Sequence, residues 1–287
     1  MTFNPSHLRQ FAQYSGYMIF VVLQLIIVPL AVIAGTLTQR RFGHAVGGLI
    51  IGLPLASLPM LLLITLQHGT TFAISMSNAD LAGSLAEVAV IWVYVLAARR
   101  FTPLVTLMSA LGGFAVSAGI LHFVTFSTPL AGVLAVAAFL AILRFWPTVT
   151  REVVESGRDR LLLRVLLSGG FGLLVLVLAG PIGAGFTGLA AALPVSSLVM
   201  AFVTQQGHGA NASSRLLQGV ARGSFSYVAA IFTFTEVLSS GNAWMAFGAS
   251  LTVAVVVQTL MLVWDMVPRV RRFLAFPILW PRVLINR

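Results

Sequence analysis

The chain lacks cysteine altogether, and its 17 basic residues are all arginine. Without thiols there is no disulfide framework, thiolate metal site or thiol nucleophile. Without lysine there is neither Schiff-base nor lysine-base chemistry. Charge is also scarce: 8% of the 287 residues are charged, against 59% hydrophobic. A soluble domain carries about a quarter charged residues, so the composition is that of a polytopic membrane protein. The net charge of +10 would suggest nucleic acid in a soluble chain. Here the arginines sit at the ends of apolar runs, and no basic run is interleaved with aromatics, so membrane orientation accounts for them and no nucleic-acid partner is expected.

Against these absences stands a repetition. The stretch 43–69, GHAVGGLIIGLPLASLPMLLLITLQHG, recurs as 183–209, GAGFTGLAAALPVSSLVMAFVTQQGHG. At a constant offset of 140 residues and with no gap, ten of 27 positions are identical, among them Pro54/Pro194, Ser57/Ser197 and His68/His208. The match continues through Gly83, Ser84, Val88, Ala89 and Ile91, repeated as Gly223, Ser224, Val228, Ala229 and Ile231. Whole helices are duplicated, not one motif.

Apolar runs of spanning length, about 17 to 25 residues, fall near 18–36, 43–66, 81–98, 103–123, 129–146, 161–179, 181–204, 216–235 and 243–264. A tenth run, 273–285, is short and carries Pro277, Pro281 and Arg282, which suits an interfacial or half-crossing segment. The expected fold is therefore an all-α transmembrane bundle of nine or ten spans. Residues 1–146 form a first repeat, 147–160 a polar linker and 161–287 a second repeat. The segment 6–17 is polar and the run after it is long enough to span, so no cleavable signal peptide is expected. The expected location is a bacterial inner (plasma) membrane.

Arginine placement predicts the orientation, because short Arg-rich loops stay cytoplasmic. Arg40 and Arg41, Arg99 and Arg100, Arg151 to Arg164, Arg215 and Arg222, and Arg269 to Arg272 all fall on one side, while the opposite connections hold no arginine. The two copies begin five spans apart, an odd number, so the second is expected to enter the membrane in the opposite sense. Inverted repeats are a common build of secondary transporters, with substrate held at mid-membrane where the halves meet.

Several residues are candidates for that site. Pro54 and Pro194 each remove an amide donor near the centre of a span, and in hydrocarbon a freed carbonyl needs a partner from protein, water or substrate. One proline alone reads as a kink that fits a helix to its neighbours; a matched pair in two repeats points to a translocation site. Ser57, Ser196 and Ser197 follow within a turn. Glu87 lies well inside a span, where an unpaired charge costs about 3 kcal/mol, and Tyr227 takes its place in the second copy. Glu87 reads either as the coupling group, a carboxyl that carries a proton or pairs a cation, or as a hydrogen-bonded structural residue. Gln24 and Gln258 lie within spans and either line a cavity or bridge helices. His68 and His208, each before a glycine at a span end, read first as helix-end caps. An intramembrane hydrolase pairing Ser57 or Ser197 with His68 would have to bridge about 16 Å along the helix. No Walker loop, HExxH or GxSxG is present, and neither a cofactor nor a metal is expected.

With about 300 residues, two five-span halves in opposed orientation, short loops and few charges, the chain resembles the drug/metabolite transporter superfamily. The resemblance is one of architecture and carries no motif of a particular member. It implies proton-coupled or exchange transport of small metabolites, nucleotide-sugars, amines or drugs. The arginine pattern departs from it, placing the N-terminus outside where that superfamily has it inside. The expected function is thus secondary transport of a small solute, with the lipid bilayer and a small-molecule substrate as partners. The alternative is a non-transporting membrane subunit or lipid-handling protein whose glycines are packing contacts. No oligomeric state is read from the sequence.

Overall fold

A computed structural model describes residues 36–54, 57–147 and 183–266, with a few single positions before and between these segments. Gln24, the linker at 147–160, the apolar runs near 18–36 and 161–179, and the C-terminal run lie wholly or largely outside the described residues. Every element among the described residues is helical. Residues 36–42 end a helix. After them come α1 (His44–Ile51), α2 (Ser57–His68), α3 (Thr70–Ala97), α4 (Pro103–His122) and α5 (Thr128–Arg144). The second stretch holds α6 (183–191), α7 (Val195–Leu238) and α8 (Ala243–Met266). At Gly209 (φ 81°, ψ 176°) α7 bends into a first limb, 195–208, and a second limb, 210–238.

Four helical stretches among the described residues are long and apolar enough to cross a membrane: Thr70–Ala97, Pro103–His122, Gly183–Leu238 with its bend, and Ala243–Trp264. This is a membrane protein. Proline opens α4 and α5, in the first turn, where the missing amide hydrogen has no intrahelical role and φ is already helical. The flanks of α4 and α8 are richly exposed and apolar, with Leu104, Met108, Val116 and Ile120 on α4 and Leu251, Val255 and Leu260 on α8. Such faces suit hydrocarbon, since lipid tails are as apolar as leucine.

The core is the seam between α3 and the second limb of α7, flanked by α1, α6 and α5. These two helices run antiparallel: Ser77 meets Thr235, Asp80 meets Tyr227 and Glu87 meets Ser224. Phe139 of α5 closes one side against Phe225, ring centroids 6.0 Å apart.

Two expectations change here. The connection expected around His68 and on to the eighth decade is helix: Gly69 (φ 83°) turns the chain and α3 starts at once at Thr70. Likewise, Arg215, expected just before a span, lies on the second limb of α7, as does Arg222. The reason is length. A 28-residue helix such as α3 is about 42 Å long and exceeds a hydrocarbon core of about 30 Å. Its polar first turns are therefore helical without being apolar.

Candidate functional site

The chain breaks its helix at the same place in both copies. Pro54 has no amide hydrogen, so the carbonyl of Ile50 accepts instead from Leu53 N at 3.3 Å. Leu53 N is thereby withdrawn from Leu49 O, a buried acceptor that must find another donor. Gln258 Nε2, from α8, supplies it at 2.6 Å. In the second copy Leu193 N again turns back one residue short, to Ala190 O at 3.1 Å. Pro194 (φ −81°, ψ 63°) is the centre of an inverse γ-turn closed by Val195 N on Leu193 O at 2.8 Å. The flanking glycines correspond as well: Gly43 and Gly183, and Gly69 and Gly209, all have positive φ between 79° and 93°, a region that residues with a Cβ rarely adopt.

Each broken helix packs against the long helix of the other copy. A Cβ on Gly48 of α1 would lie 2.0 Å from Leu216 O of α7; a Cβ on the matching Gly188 of α6 would lie 2.2 Å from Met76 O of α3. The residues contacted are themselves 140 apart. A Cβ on Gly52 would lie 2.7 Å from the Gly223 Cα, while one on Gly83 would lie 2.5 Å from the Ala192 Cβ. Along α3, Met76, Gly83 and Tyr94 meet Gly188, Ala192 and Gln205 in turn, so α6 and the first limb run in the direction of α3. Along the second limb, Leu216, Gly223 and Tyr227 meet Gly48, Gly52 and Ser57, so α1 and α2 run in the direction of that limb.

Gly83 and Gly223 stand at the same level of the antiparallel seam, and both breaks therefore reach it at one depth. Polar side chains gather there. The Tyr227 hydroxyl donates to Asp80 Oδ1, and Ser57, at the start of α2, lies beside the same phenol. Ser224 donates to Glu87 Oε1 at 2.8 Å. Ser226 donates to Gln258 Oε1 at 2.9 Å, fixing the amide whose nitrogen serves Leu49. All of these except Ser57, which is half-buried, are buried.

The expected site residues thus separate into groups. Pro54, Ser57, Glu87, Tyr227 and Gln258 come together around the first break. Pro194, Ser196 and Ser197 mark the second, where Ser197 is buried and Pro194 and Ser196 are half-buried. Ala192, just before Pro194, touches Gly83, one turn from Glu87. Gln258 bridges helices and holds a backbone carbonyl. His68 lies on Phe72 with ring centroids 4.8 Å apart, and His208 meets His44 edge to face at 5.3 Å.

Three members of the cluster were not singled out as site residues from the sequence: Asp80, Ser84 and Ser224. Asp80 is fully buried on the same face of α3 as Glu87. The signal for this group is the spacing 80, 84, 87, one helical face over two turns, together with the identity of Ser84 and Ser224 across the duplication. Tyr94 also gains a partner that its own span does not reveal, donating to Gln205 Oε1 at 2.8 Å.

Compared with family models, with curated proteins and with solved structures, the chain matches none of them.

Proposed function

We propose that the chain is a secondary transporter of a small solute, built as an inverted duplication and working by rocking of one half against the other around the level of Pro54 and Pro194. The observation that carries this reading is the pair of proline-broken helices brought to one depth of a seam that holds Asp80, Glu87, Ser57 and Tyr227. Broken helices at corresponding positions of two repeats are where transporters hold substrate and coupling ion, because unwound backbone and half-helix ends supply polar groups inside the membrane.

The opposed orientation is supported by the running directions of the packed helices. The first broken helix follows the second limb of α7, the second follows α3, and those two partners are antiparallel; the two copies then run oppositely. Reciprocal contacts such as Gly48 with Leu216 and Gly188 with Met76 suit a two-fold axis in the membrane plane. Architecture of this kind is also what the resemblance to the drug/metabolite transporter superfamily implies.

The test is reconstitution in liposomes with panels of metabolites, amines and drugs under imposed proton and sodium gradients. Saturable, gradient-dependent movement of one class of solute is the expected result. A folded protein that moves nothing under any gradient would overturn the reading. The alternative, a non-transporting membrane subunit, is favoured by the close glycine contacts of α1 and α6, which also suit a static bundle. The two differ in whether those contacts must open. A cross-link between α1 and the second limb of α7 stops transport on the first reading and changes nothing on the second.

A further inference from the structure

Three side chains on α3 face the seam in consecutive turns: Asp80, Ser84 and Glu87. Asp80 and Ser84 are fully buried and Glu87 is 6% exposed. Each carboxyl has one oxygen engaged from the facing limb, Asp80 Oδ1 by Tyr227 and Glu87 Oε1 by Ser224. Asp80 Oδ2 and Ser84 Oγ, in contrast, are buried without a hydrogen-bond partner. A buried polar atom left in this way costs about 1–3 kcal/mol, and two of them one turn apart between two carboxyls call for one common explanation.

Protonation of Asp80 does not provide it. A proton on Oδ2 would turn an unpartnered acceptor into an unpartnered donor, since Ser84 Oγ is not within bonding distance of it. Either a bridging water or a species that accepts lone pairs from several oxygens at once joins the two atoms, and the second carboxyl nearby favours the latter. Among the described residues no three His or carboxyl groups converge, so a transition-metal donor set is not assembled there. Magnesium keeps several waters and calcium takes about six to eight oxygens, neither of which suits one free carboxyl oxygen and one hydroxyl, with the Glu87 carboxyl a turn away. A monovalent hard cation, stripped of water and facing up to two negative charges, does suit them.

We propose that Asp80 Oδ2, Ser84 Oγ and Glu87 form a binding site for a dehydrated sodium ion in the seam between α3 and the second limb of α7. The site deepens the transporter reading by naming its coupling ion, and it rests on that reading only for the ion's role, not for the binding itself. Tyr227 and Ser224 hold the two carboxyls toward the ion from the opposite copy, so occupancy ties the halves together. Ser57, beside Tyr227, places the same group next to the first helix break.

Thermal unfolding of the full chain in detergent tests this at constant ionic strength in sodium, potassium or choline chloride. Ligand bound only by the native state stabilises it by mass action, so the unfolding midpoint should rise with sodium and not with the other two. Ser84→Ala removes a hydroxyl that bonds no protein group and should fold normally, yet need about tenfold more sodium for the same shift. Asp80→Asn should lose the sodium response. Equal action of all three salts on folded protein would overturn the site, as would parent-like sodium dependence in Ser84→Ala; water would then bridge the seam. Transport without a sodium-specific shift would sink this site alone. A sodium-specific shift without transport would sink the transporter reading alone.

Discussion

Gln258 Nε2 lies 2.6 Å from the carbonyl oxygen of Leu49, 209 residues away in the chain, and so closes the backbone gap that Pro54 opens. The same amide accepts from Ser226 through its oxygen. Gln258→Leu would leave the buried Leu49 carbonyl without a donor, a loss of about 1–3 kcal/mol, while the Ser226 hydroxyl keeps its bond to Gly223 O at 2.7 Å. The expected result is a lower unfolding midpoint in detergent and a helix break more open to hydrogen exchange at 49–53. An unchanged midpoint would mean that the carbonyl finds another donor.

The glycines give a paired prediction. Gly48→Ala and Gly188→Ala each place a methyl group about 2 Å from a backbone oxygen of the opposing copy, closer than any real contact, so the helices must part. Both variants should lose the monodisperse peak in size-exclusion chromatography. Gly112→Ala on α4 meets nothing within 4 Å and should be neutral or stabilise by up to about 1 kcal/mol, the helix penalty of glycine. If Gly48→Ala tolerates the change while Gly188→Ala does not, the two interfaces are not equivalent.

Glu87 separates coupling from scaffolding. Glu87→Gln keeps the shape and an oxygen for Ser224 to donate to, but carries no charge. On the transport reading, insertion and substrate-for-substrate exchange survive while accumulation against an ion gradient falls to background. Flux measured in both modes on the same vesicles checks it. Parent-like accumulation would make the carboxyl structural.

Orientation can be read in the naturally cysteine-free chain. Ser127 and Ser240, both exposed in turns, should react as cysteines with an impermeant thiol reagent applied from outside. Thr102→Cys, in the exposed turn after Arg99 and Arg100, should react only after the membrane is opened. Labelling of all three from one face would contradict both the arginine reading and the antiparallel course of α3 and the second limb of α7.

What the sequence by itself determined is whatever proline, glycine and long apolar runs write locally. The breaks at Pro54 and Pro194 and the sharp turns at Gly69 and Gly209 follow from a missing amide hydrogen and a missing Cβ, and the duplication marks them twice. The bounds of α4, α5 and α8 lie within two residues of their apolar runs, because lipid-facing helices need little besides hydrophobicity. Tertiary structure decided the rest. The stretch 70–80 reads as a polar connection, since Ser77, Asn78 and Asp80 have no visible partner nearby in the chain. As helix it meets Thr235 and Tyr227 across the seam and the carbonyl of Phe126 in the turn between α4 and α5, which bond one atom of each of those side chains. A polar group in the membrane is stable where a partner meets it, and when that partner comes from the other copy, about 150 residues away, only the packing of the helices brings the two together.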